Sequence, residues 1–454
     1  MSSKPNEFKL PPGPPDGYDI NVDDETFDRL HAWISRYGDI VAVKPLSRNA
    51  PSVVINNPDY VKHVLISNHR NYRKGVGFER IKMLLGNGII VSDGDFWRSQ
   101  RRMIQPAFHR KVVAHLATMM QDCNARKLVE WREAANSRTV INITEEMSAL
   151  ALEVVLKALF SVDLDWLIDK EGKNPFLMLV EDFTRDLKLA MRFRAMTRHV
   201  KDIMELRRGE NRVEHDFLSL LMETRDKDTN EPMDDKALID EVMTIIVAGH
   251  ETTAGTLNWA WYLLSQHPDV EARLHDEVDA LATDPGFEHL EKLDYARQIA
   301  EETLRLYPPV WLFSRKAIHD DIIGGYDIPA GSNIFLCPYL LHRSPQYWDC
   351  PETFQPERFT ADAVKVRNRH IYYPFSLGSR RCIGEFFSLV DMQLHLGLMA
   401  RYLRLTQVSG QPVEVEPHIN LRSRHPIMMQ VHARTSIADS VSYTHLTLPT
   451  ILLV

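Results

Sequence analysis

Apolar residues recur three or four positions apart through much of the chain, the spacing that lines up one face of an α-helix. Such a pattern predicts amphipathic helices whose apolar faces meet in a shared core. The segments with this pattern are residues 60–67, 97–108, 112–135, 143–160, 216–223, 238–266 and 269–281. Helices are therefore predicted to dominate the structure.

Strands are predicted in two parts of the chain. The β-branched runs IVAVKPL (40–46) and PSVVIN (51–56) indicate a small sheet near the N-terminus, and Gly and Pro punctuate strand-like stretches such as YDIPAGSNIFLCPY (326–339). No internal repeat and no linker rich in Gly and Ser divides the middle of the chain. The pattern predicts one large, mainly helical domain with a minor β region.

The two ends differ from this body. The Pro-rich run at 10–15 cannot be helical throughout, so residues 1–17 are predicted to form an extended lead-in. A closing strand is expected to end near residue 433, and the domain is predicted to span residues 18–435. Residues 436–454 include the uncharged run SVSYTHLTLPTILLV, which has no clear period. We interpret this tail as non-native or read-through sequence, with a genuine docking segment as the alternative.

Composition narrows the class of protein. The 454 residues are 44% hydrophobic and 26% charged, as in ordinary globular proteins, and the net charge of −8 argues against a nucleic-acid binder. Four widely spaced cysteines favour a reducing compartment over a disulfide framework. No stretch has a signal-peptide core or the roughly 20 apolar residues that span a bilayer. We expect a soluble cytoplasmic protein with no membrane anchor.

The strongest candidate for chemistry is Cys382, which directly precedes a predicted helix. The N-terminus of a helix supplies N–H donors and a positive dipole end, which stabilise a thiolate. Gly378 and Gly384 would let backbone approach closely, Arg380 offers a fork for a carboxylate, and Phe375 can pack on the sulfur side of a metal. The other three cysteines are interpreted as small hydrophobic residues.

The stretch FSLGSRRCIG at 375–384 matches F-x-x-G-x-R-x-C-x-G at every fixed position. It resembles the haem-binding signature of the cytochrome P450 family, and the likeness runs in family order from about residue 18 to residue 433. The resemblance implies the cytochrome P450 fold with a long central helix over the haem. It also implies haem b, with Cys382 as the axial iron ligand, and a monooxygenase that uses dioxygen.

A second candidate site is AGHETT at 248–253, inside the predicted helix 238–266. Gly and Thr are poor helix formers, and a Thr hydroxyl that bonds to an earlier carbonyl can open a helix locally. From the residues alone, this is equally a packing site for small side chains. The segment resembles the family pattern A/G-G-x-D/E-T, which implies Ala248 against the haem, Thr252 beside bound oxygen and Glu251 in proton delivery. His250 is interpreted as structural or pocket-lining.

Three further charged groups belong to family-like segments. Glu302 and Arg305 lie one helical turn apart and could form only a surface ion pair. The resemblance to the E-x-x-R motif, and of the segment around Arg358 to its partner, implies a buried Glu302–Arg305–Arg358 network with an architectural role.

Cations for the haem propionates are also implied by the resemblance. Trp97 and Arg101, four residues apart on one helix face, match the family's W-x-x-x-R segment. Arg315 falls where the family often places another propionate-binding cation, although a basic residue at a strand end is usually only solvated.

The substrate pocket is expected from the family's pocket segments, which correspond to residues 76–79, 245–248, 310–313 and 418–421. The residues predicted to line it are Val76, Phe78, Ile245, Val310, Trp311, Phe313 and Ile419. Their apolar character predicts a lipophilic substrate, such as a fatty acid or terpenoid, that is hydroxylated or epoxidised. The segment 160–216 is short for the family's lid region, so no access-channel residues are assigned.

Electrons are expected from separate proteins, because no reductase-like sequence follows the haem region. The resemblance to soluble bacterial members implies a ferredoxin or flavodoxin with an NAD(P)H-dependent reductase, acting on a monomer. Arg381, Arg98 and Arg102 could guide an acidic donor.

Other functions remain open from the sequence. A peroxide-driven peroxygenase, a haem isomerase or dehydratase and a haem-based gas sensor would all retain Cys382. None of them needs the acid and the alcohol at 251 and 252.

Overall fold

Helices make up most of the structure. The computed structural model describes residues 8–180, 188–408, 410 and 412–434, so the predicted tail 436–454 lies outside it. The α-helices of the described residues are α1 (Asp24–Tyr37), α2 (Pro58–Lys62), α3 (Phe78–Leu85), α4 (Gly94–Ile104), α5 (Arg110–Ser137), α6 (Ile143–Phe160), α7 (Asp163–Glu171), α8 (Lys188–Glu210), α9 (Phe217–Glu223), α10 (Asp235–Gln266), α11 (Pro268–Asp279), α12 (Asp294–Leu306), α13 (Pro338–Leu341), α14 (Ala361–Val366) and α15 (Glu385–Tyr402).

Four small sheets complete the fold as described. The strands are β1 (Ile40–Val43), β2 (Ser52–Ile55), β3 (Tyr72–Lys74), β4 (Val140–Asn142), β5 (Phe313–Ala317), β6 (Asp321–Ile323), β7 (Tyr326–Ile328), β8 (Asn333–Leu336), β9 (Leu403–Gln407), β10 (Val415–Pro417), β11 (Leu421–Ser423) and β12 (Met428–Ala433). The largest sheet has the order β1-β2-β8-β5-β3, in which only β2 and β8 run parallel. The others are β4-β12-β9, β6-β7 and β10-β11.

The predicted fold class is therefore confirmed. Each segment with a helical spacing of apolar residues is helical in the structure. The segment predicted at 143–160 forms α6 with the same bounds. The predicted strands at 40–46 and 51–56 form the antiparallel pair β1–β2, with Ile40 opposite Ile55. The helices that were not predicted are α1, α3, α7, α8, α13 and α14. In α8, the buried Phe193, Met196 and Val200 do follow a helical spacing.

Helix α10 is the central rod of the fold. Its 32 residues rise to about 48 Å at 1.5 Å per residue. The Asp234 side chain caps its N-terminus by accepting the Ala237 N–H at 2.8 Å, and Pro268 begins the next helix directly after it. Most of α10 is buried in a core that it shares with α5, α6 and α15.

The lead-in lies against the small sheet. Residues 8–17 form neither helix nor strand, and the Ala42 N–H donates to the Pro12 carbonyl at 3.0 Å. A side chain at Gly13 would overlap the Ala42 carbonyl oxygen, at 1.7 Å, so this close approach requires glycine.

None of the helices in the described part of the chain is both long enough and apolar enough to cross a membrane.

Candidate functional site

The loop before α15 holds Cys382 in a defined position. The Cys382 N–H donates to the Phe375 carbonyl at 2.8 Å, which closes the loop. Burial raises the pKa of the Cys382 thiol, while the backbone N–H groups of Gly384 and Glu385 at the start of α15 act in the opposite direction. The helix N-terminus thus offers a thiolate the N–H donors expected from the sequence.

The two glycines of the motif differ in whether the backbone around them would tolerate a side chain. Gly378 has a φ of +68°, and a Cβ there would lie 2.1 Å from the Leu65 carbonyl oxygen, so both conformation and space demand glycine. At Gly384 a Cβ would meet the Phe108 ring at 3.8 Å and the Cys382 sulfur at 4.0 Å, which is ordinary contact. Close approach of protein backbone, expected at both positions, therefore occurs only at Gly378.

Cys382 is accessible to solvent although protein surrounds it closely. The residue is exposed, yet burial is the main cause of the raised pKa of its thiol.

The middle of α10 has an accessible face of its own. The partly accessible residues here are Val247, Ala248, Gly249, Glu251, Thr252 and Gly255, whereas the helix on either side of them is mostly buried. Four of them, Ala248, Glu251, Thr252 and Gly255, follow the spacing of one helix face. The Thr252 hydroxyl donates to the Ala248 carbonyl at 2.7 Å, the bond anticipated for this motif, and α10 remains continuous through it.

Glu251 faces the β10–β11 hairpin. Burial raises the pKa of the Glu251 carboxyl group. A hydrogen bond from the Asn420 side-chain amide lowers it, and so do the charges of Arg422 and His418. His250 turns the other way, with its Nε2 2.8 Å from the Ser148 hydroxyl on α6, so it is structural.

Cationic side chains collect beside Cys382. The Arg380 guanidinium lies 3.7 Å from the centre of the Trp97 ring, bonds the Ser92 carbonyl at 2.8 Å and pairs with Asp93. Arg101 donates to the Arg381 carbonyl at 3.0 Å. Helix α4 therefore brings both of its predicted residues, Trp97 and Arg101, to the cysteine loop.

Two further cations join this cluster from the sheet. Arg315 on β5 is only 6% exposed, against the expectation for a basic residue at a strand end, and burial together with the charge of Arg380 lowers its pKa to about 10. Lys74, which the sequence reasoning missed, lies beside Arg315 through the β3–β5 pairing. Burial, Arg315 and Arg380 depress the Lys74 pKa well below its ordinary range.

The site residues fit a haem. Lys74, Arg315 and Arg380 lie together, and the carboxylate of Asp93 acts on all three. Such an excess of desolvated positive charge calls for an anionic partner, and the two propionates of haem would supply it. The accessible Cys382 beside this cluster is a suitable iron ligand.

The predicted network of Glu302, Arg305 and Arg358 lies in the protein interior. Glu302 and Arg305 are completely buried, with Arg305 Nε 2.7 Å from Glu302 Oε2. Arg305 also bonds the carbonyls of His342 and Pro351, at 2.8 and 2.7 Å. Arg358 Nε lies 3.5 Å from Glu302 Oε1. The network ties α12 to the chain segments that precede the cysteine loop.

The predicted pocket residues separate into two groups. Val76, Phe78 and Phe313 keep part of their surface accessible, and Val310 and Ile419 are exposed, at 36% and 59%. Ile245 is buried, at 8% exposed, contrary to the prediction that it lines an open pocket.

Trp311 does not line a pocket, contrary to the prediction. It is fully buried, packs against Phe27 with ring centres 5.3 Å apart, and donates its indole N–H to the His418 carbonyl at 2.7 Å. Its ring packs on α1 through Phe27, and its indole hydrogen bond joins it to the turn between β10 and β11.

The face on the sulfur side carries a recess of about 330 Å³. It is lined by Arg101, Gln105, Phe108, His109, Arg110, Ile383 and Phe386. The arginines expected to guide a donor are each paired with a carboxylate: Arg98 with Asp95, Arg102 with Asp228, and Arg381 with Glu385.

Comparison with known proteins agrees with this geometry. The family model described as "Cytochrome P450" matches residues 16–431. Cyclooctatin synthase from Streptomyces melanosporofaciens is 34% identical, over 86% of this chain and 88% of its own. Cyclooctat-9-en-7-ol 5-monooxygenase from the same organism is 35% identical, over 84% of this chain and 85% of its own.

The fold is also that of solved relatives. The crystal structure of the cytochrome P450DA heme domain superposes with a TM-score of 0.83 at 24% sequence identity, covering 94% of this chain and 98% of that one. With the cysteine loop, the cation cluster and the family match in agreement, the chain belongs to the cytochrome P450 family of haem monooxygenases.

Proposed function

We propose that this enzyme inserts one oxygen atom from dioxygen into an unsaturated, lipophilic small molecule, by hydroxylation or epoxidation. The observation that carries the proposal is the accessible stretch of α10, where Thr252 and Glu251 present an alcohol and an acid on an otherwise buried helix. Reduction of dioxygen consumes protons, and these two side chains are suited to deliver them.

Haem bound at this site would supply the iron that activates dioxygen. Cys382 supplies the thiolate ligand, which the N–H groups at the start of α15 stabilise. Lys74, Arg315 and Arg380 hold the propionates, and Trp97 keeps the Arg380 guanidinium in place by stacking.

Thr252 and Glu251 divide the handling of protons. The Thr252 hydroxyl donates to the Ala248 carbonyl, so its oxygen can accept a hydrogen bond from a neighbouring donor. Burial raises the pKa of the Glu251 carboxyl, which favours the protonated form that a proton carrier must be able to adopt. Glu251 therefore carries protons inward, and Thr252 holds them next to the oxygen.

The substrate class follows from the apolar pocket residues and from the names of relatives. Val76, Phe78 and Phe313 offer accessible hydrocarbon surface. The names cyclooctat-9-en-7-ol 5-monooxygenase and pentalenene oxygenase, the latter from Streptomyces avermitilis and 29% identical, denote unsaturated compounds as substrates. An alkene or alkenol of terpenoid type fits this setting.

Electrons would enter on the sulfur side from a ferredoxin or flavodoxin reduced by an NAD(P)H-dependent enzyme. The recess lined by Arg101, Phe108, Arg110 and Phe386 combines apolar and cationic groups close to Cys382, which suits an acidic carrier. Because Arg98, Arg102 and Arg381 are already paired, Arg110 is the better candidate to attract it. We further propose that the enzyme acts as a monomer in the cytoplasm.

The decisive experiment follows the oxygen atom. Holoenzyme is incubated with NAD(P)H, a surrogate ferredoxin and reductase, a panel of terpenoid alkenes and isotopically labelled dioxygen. The expected product carries one labelled oxygen atom and forms only when the electron carrier is present. Product formed equally well with peroxide alone would establish a peroxygenase, and an unlabelled rearranged product would establish an isomerase.

A further inference from the structure

A single π-turn, His63–Ser67, follows α2 and contacts the cysteine loop at 375–384. The Asn68 N–H closes the turn by donating to the His63 carbonyl at 2.8 Å. Turns of this kind are rare and occur frequently at functional sites. The Leu65 carbonyl oxygen of this turn is the atom that a Cβ at Gly378 would meet at 2.1 Å. The π-turn and the cysteine loop are therefore in direct backbone contact.

Side-chain packing joins the same two segments. Leu65 from the π-turn, Ile323 from β6 and Tyr373, just before the cysteine loop, belong to one cluster of buried apolar residues. Leu377 of the loop packs against this cluster. Displacement of the π-turn would therefore disturb both the backbone contact and the apolar surface on which the loop rests.

Asp321 on β6 fastens the π-turn. Three side chains meet its Oδ2 atom: the Tyr72 hydroxyl donates at 2.5 Å, the Asn68 amide donates at 2.9 Å, and His63 Nε2 lies 2.9 Å away. The Ile322 N–H donates to Oδ1 at 2.8 Å. His63 is the first residue of the π-turn and Asn68 directly follows its last, so one carboxylate holds both ends of the turn.

The environment of Asp321 suits this task. Its side chain is only 12% exposed. Burial would raise the pKa of Asp321, but the hydrogen bonds from Tyr72, His63, Ile322 and Asn68 outweigh it and hold the pKa below its ordinary value. Hydrogen bonds to an ionised acceptor are roughly twice as strong as neutral ones. The π-turn is therefore tied down by bonds of the stronger kind.

We propose that Asp321 is a positioning residue for the haem ligand: by fastening both ends of the π-turn, it keeps the cysteine loop closed and the Cys382 sulfur in place. A loop that opened would let the thiolate take up a proton and leave the iron. The clasp thus preserves thiolate ligation without touching the haem. This inference rests on the proposed role of Cys382 as the iron ligand.

The first test observes the loop in the apoprotein. Hydrogen exchange of the peptide 375–384 is followed by mass spectrometry, because the Cys382 N–H, which bonds the Phe375 carbonyl, exchanges only when the loop opens. Tyr72→Phe keeps the ring in the core and removes one bond to the carboxylate, so this peptide should exchange about tenfold faster. Asp321→Ala should increase the exchange further, and Asp321→Asn, which keeps one acceptor oxygen, should lie between Asp321→Ala and wild type.

The second test observes the ligand in the holoenzyme. The reduced carbon-monoxide complex of Tyr72→Phe should lose its far-red-shifted Soret band about tenfold faster than wild type at raised temperature. Haem content, measured alongside, separates loss of the thiolate from loss of haem. Asp327→Ala is the matched control, since Asp327 lies on the paired strand β7, accepts the Lys9 N–H at 2.8 Å and bonds no residue of the π-turn in the described contacts. It should leave both rates at the wild-type value.

The outcomes distinguish the clasp from the ligand assignment. Wild-type exchange and band stability in Tyr72→Phe overturn the positioning role even if Asp321→Ala does not fold. The same is true if Asp327→Ala accelerates both rates as much as Asp321→Ala. If the loop exchanges faster in Tyr72→Phe but Cys382→Ala retains the band, the clasp exists and the ligand assignment fails.

Discussion

The Arg380 guanidinium lies 3.7 Å from the centre of the Trp97 ring, a contact between the cysteine loop and a helix almost 300 residues earlier in the chain. A cation over an aromatic face is attracted by the ring, and more so where water is excluded. The contact aligns the cysteine loop with α4, which also supplies Arg101. The same two elements therefore position both the thiolate and part of the charge that would meet the propionates.

Replacing the thiolate ligand should abolish the spectroscopic signature of the site. Cys382→Ala is expected to lose the far-red-shifted Soret band of the reduced carbon-monoxide complex, because only a thiolate produces it. Cys350→Ala is the matched control, since Cys350 is an exposed cysteine elsewhere in the structure. Retention of the band in Cys382→Ala would refute the assignment.

The cation cluster predicts opposite effects on the apoprotein and on haem binding. Lys74→Met removes a desolvated charge that is repelled by Arg315 and Arg380, so the apoprotein should melt at a higher temperature. The variant should nevertheless release haem about tenfold faster, as expected for the loss of one charge-assisted hydrogen bond.

Haem transfer to a scavenger protein measures this rate. Lys316→Met serves as the control, because Lys316 alternates with Arg315 on β5 and points to the other face. Slower haem release in Lys74→Met would contradict a propionate-binding role.

The Glu302–Arg305 pair should act on folding rather than on turnover. Arg305→Ala strands a fully buried carboxylate and is expected to cost about 3–5 kcal/mol, comparable to the whole stability margin of a typical domain. The variant should yield little haem-loaded protein. Arg273→Ala breaks the exposed pair with Glu357 and should cost less than about 1 kcal/mol. Equal melting temperatures for the two variants would show that burial of the pair has no consequence.

Thr252→Ala and Glu251→Gln should differ in what they change. Loss of the Thr252 hydroxyl leaves dioxygen reduction intact but misplaces protons, so peroxide should be released at the expense of product. Glu251→Gln keeps the side-chain size and removes the ionisable group, so turnover itself should slow. Product and peroxide formed per NAD(P)H are measured for each. Wild-type coupling and rate in both variants would exclude the pair from the mechanism.

A buried acid in α10 predicts a pH-dependent stability. Glu241 accepts the Ile89 N–H at 2.9 Å, and burial raises its pKa to about 8. Between its unfolded value and pH 8 the folded state holds the extra proton, so Glu241 lowers stability progressively as pH rises through this range.

Glu241→Gln should remove that slope, with a gain of up to a few kcal/mol at pH 9 and little change at pH 5, at roughly 1.4 kcal/mol per pH unit of pKa difference. Thermal unfolding at a series of pH values measures it. A gain that is the same at pH 5 and pH 9 would show that the carboxyl group does not titrate with folding.

The sequence by itself determined the elements and the chemical identity of the site. Helical spacing located α5, α6 and α10, because apolar side chains three and four apart must share a buried face. The motif around Cys382 and the AGHETT segment could be recognised from the sequence because each lies within a few consecutive residues. The family comparison confirmed the resemblance that these segments indicated.

Only the tertiary structure decided which distant groups meet, since burial and charge depend on neighbours that local spacing does not encode. No sequence motif singles out Lys74, and it becomes part of the cation cluster because β3 pairs with β5, more than 200 residues later. Trp311 was expected in the pocket, but its ring packs on α1 through Phe27. Asn420 acts on Glu251 for the same reason: the turn that carries it is held in place by Trp311 and Pro309.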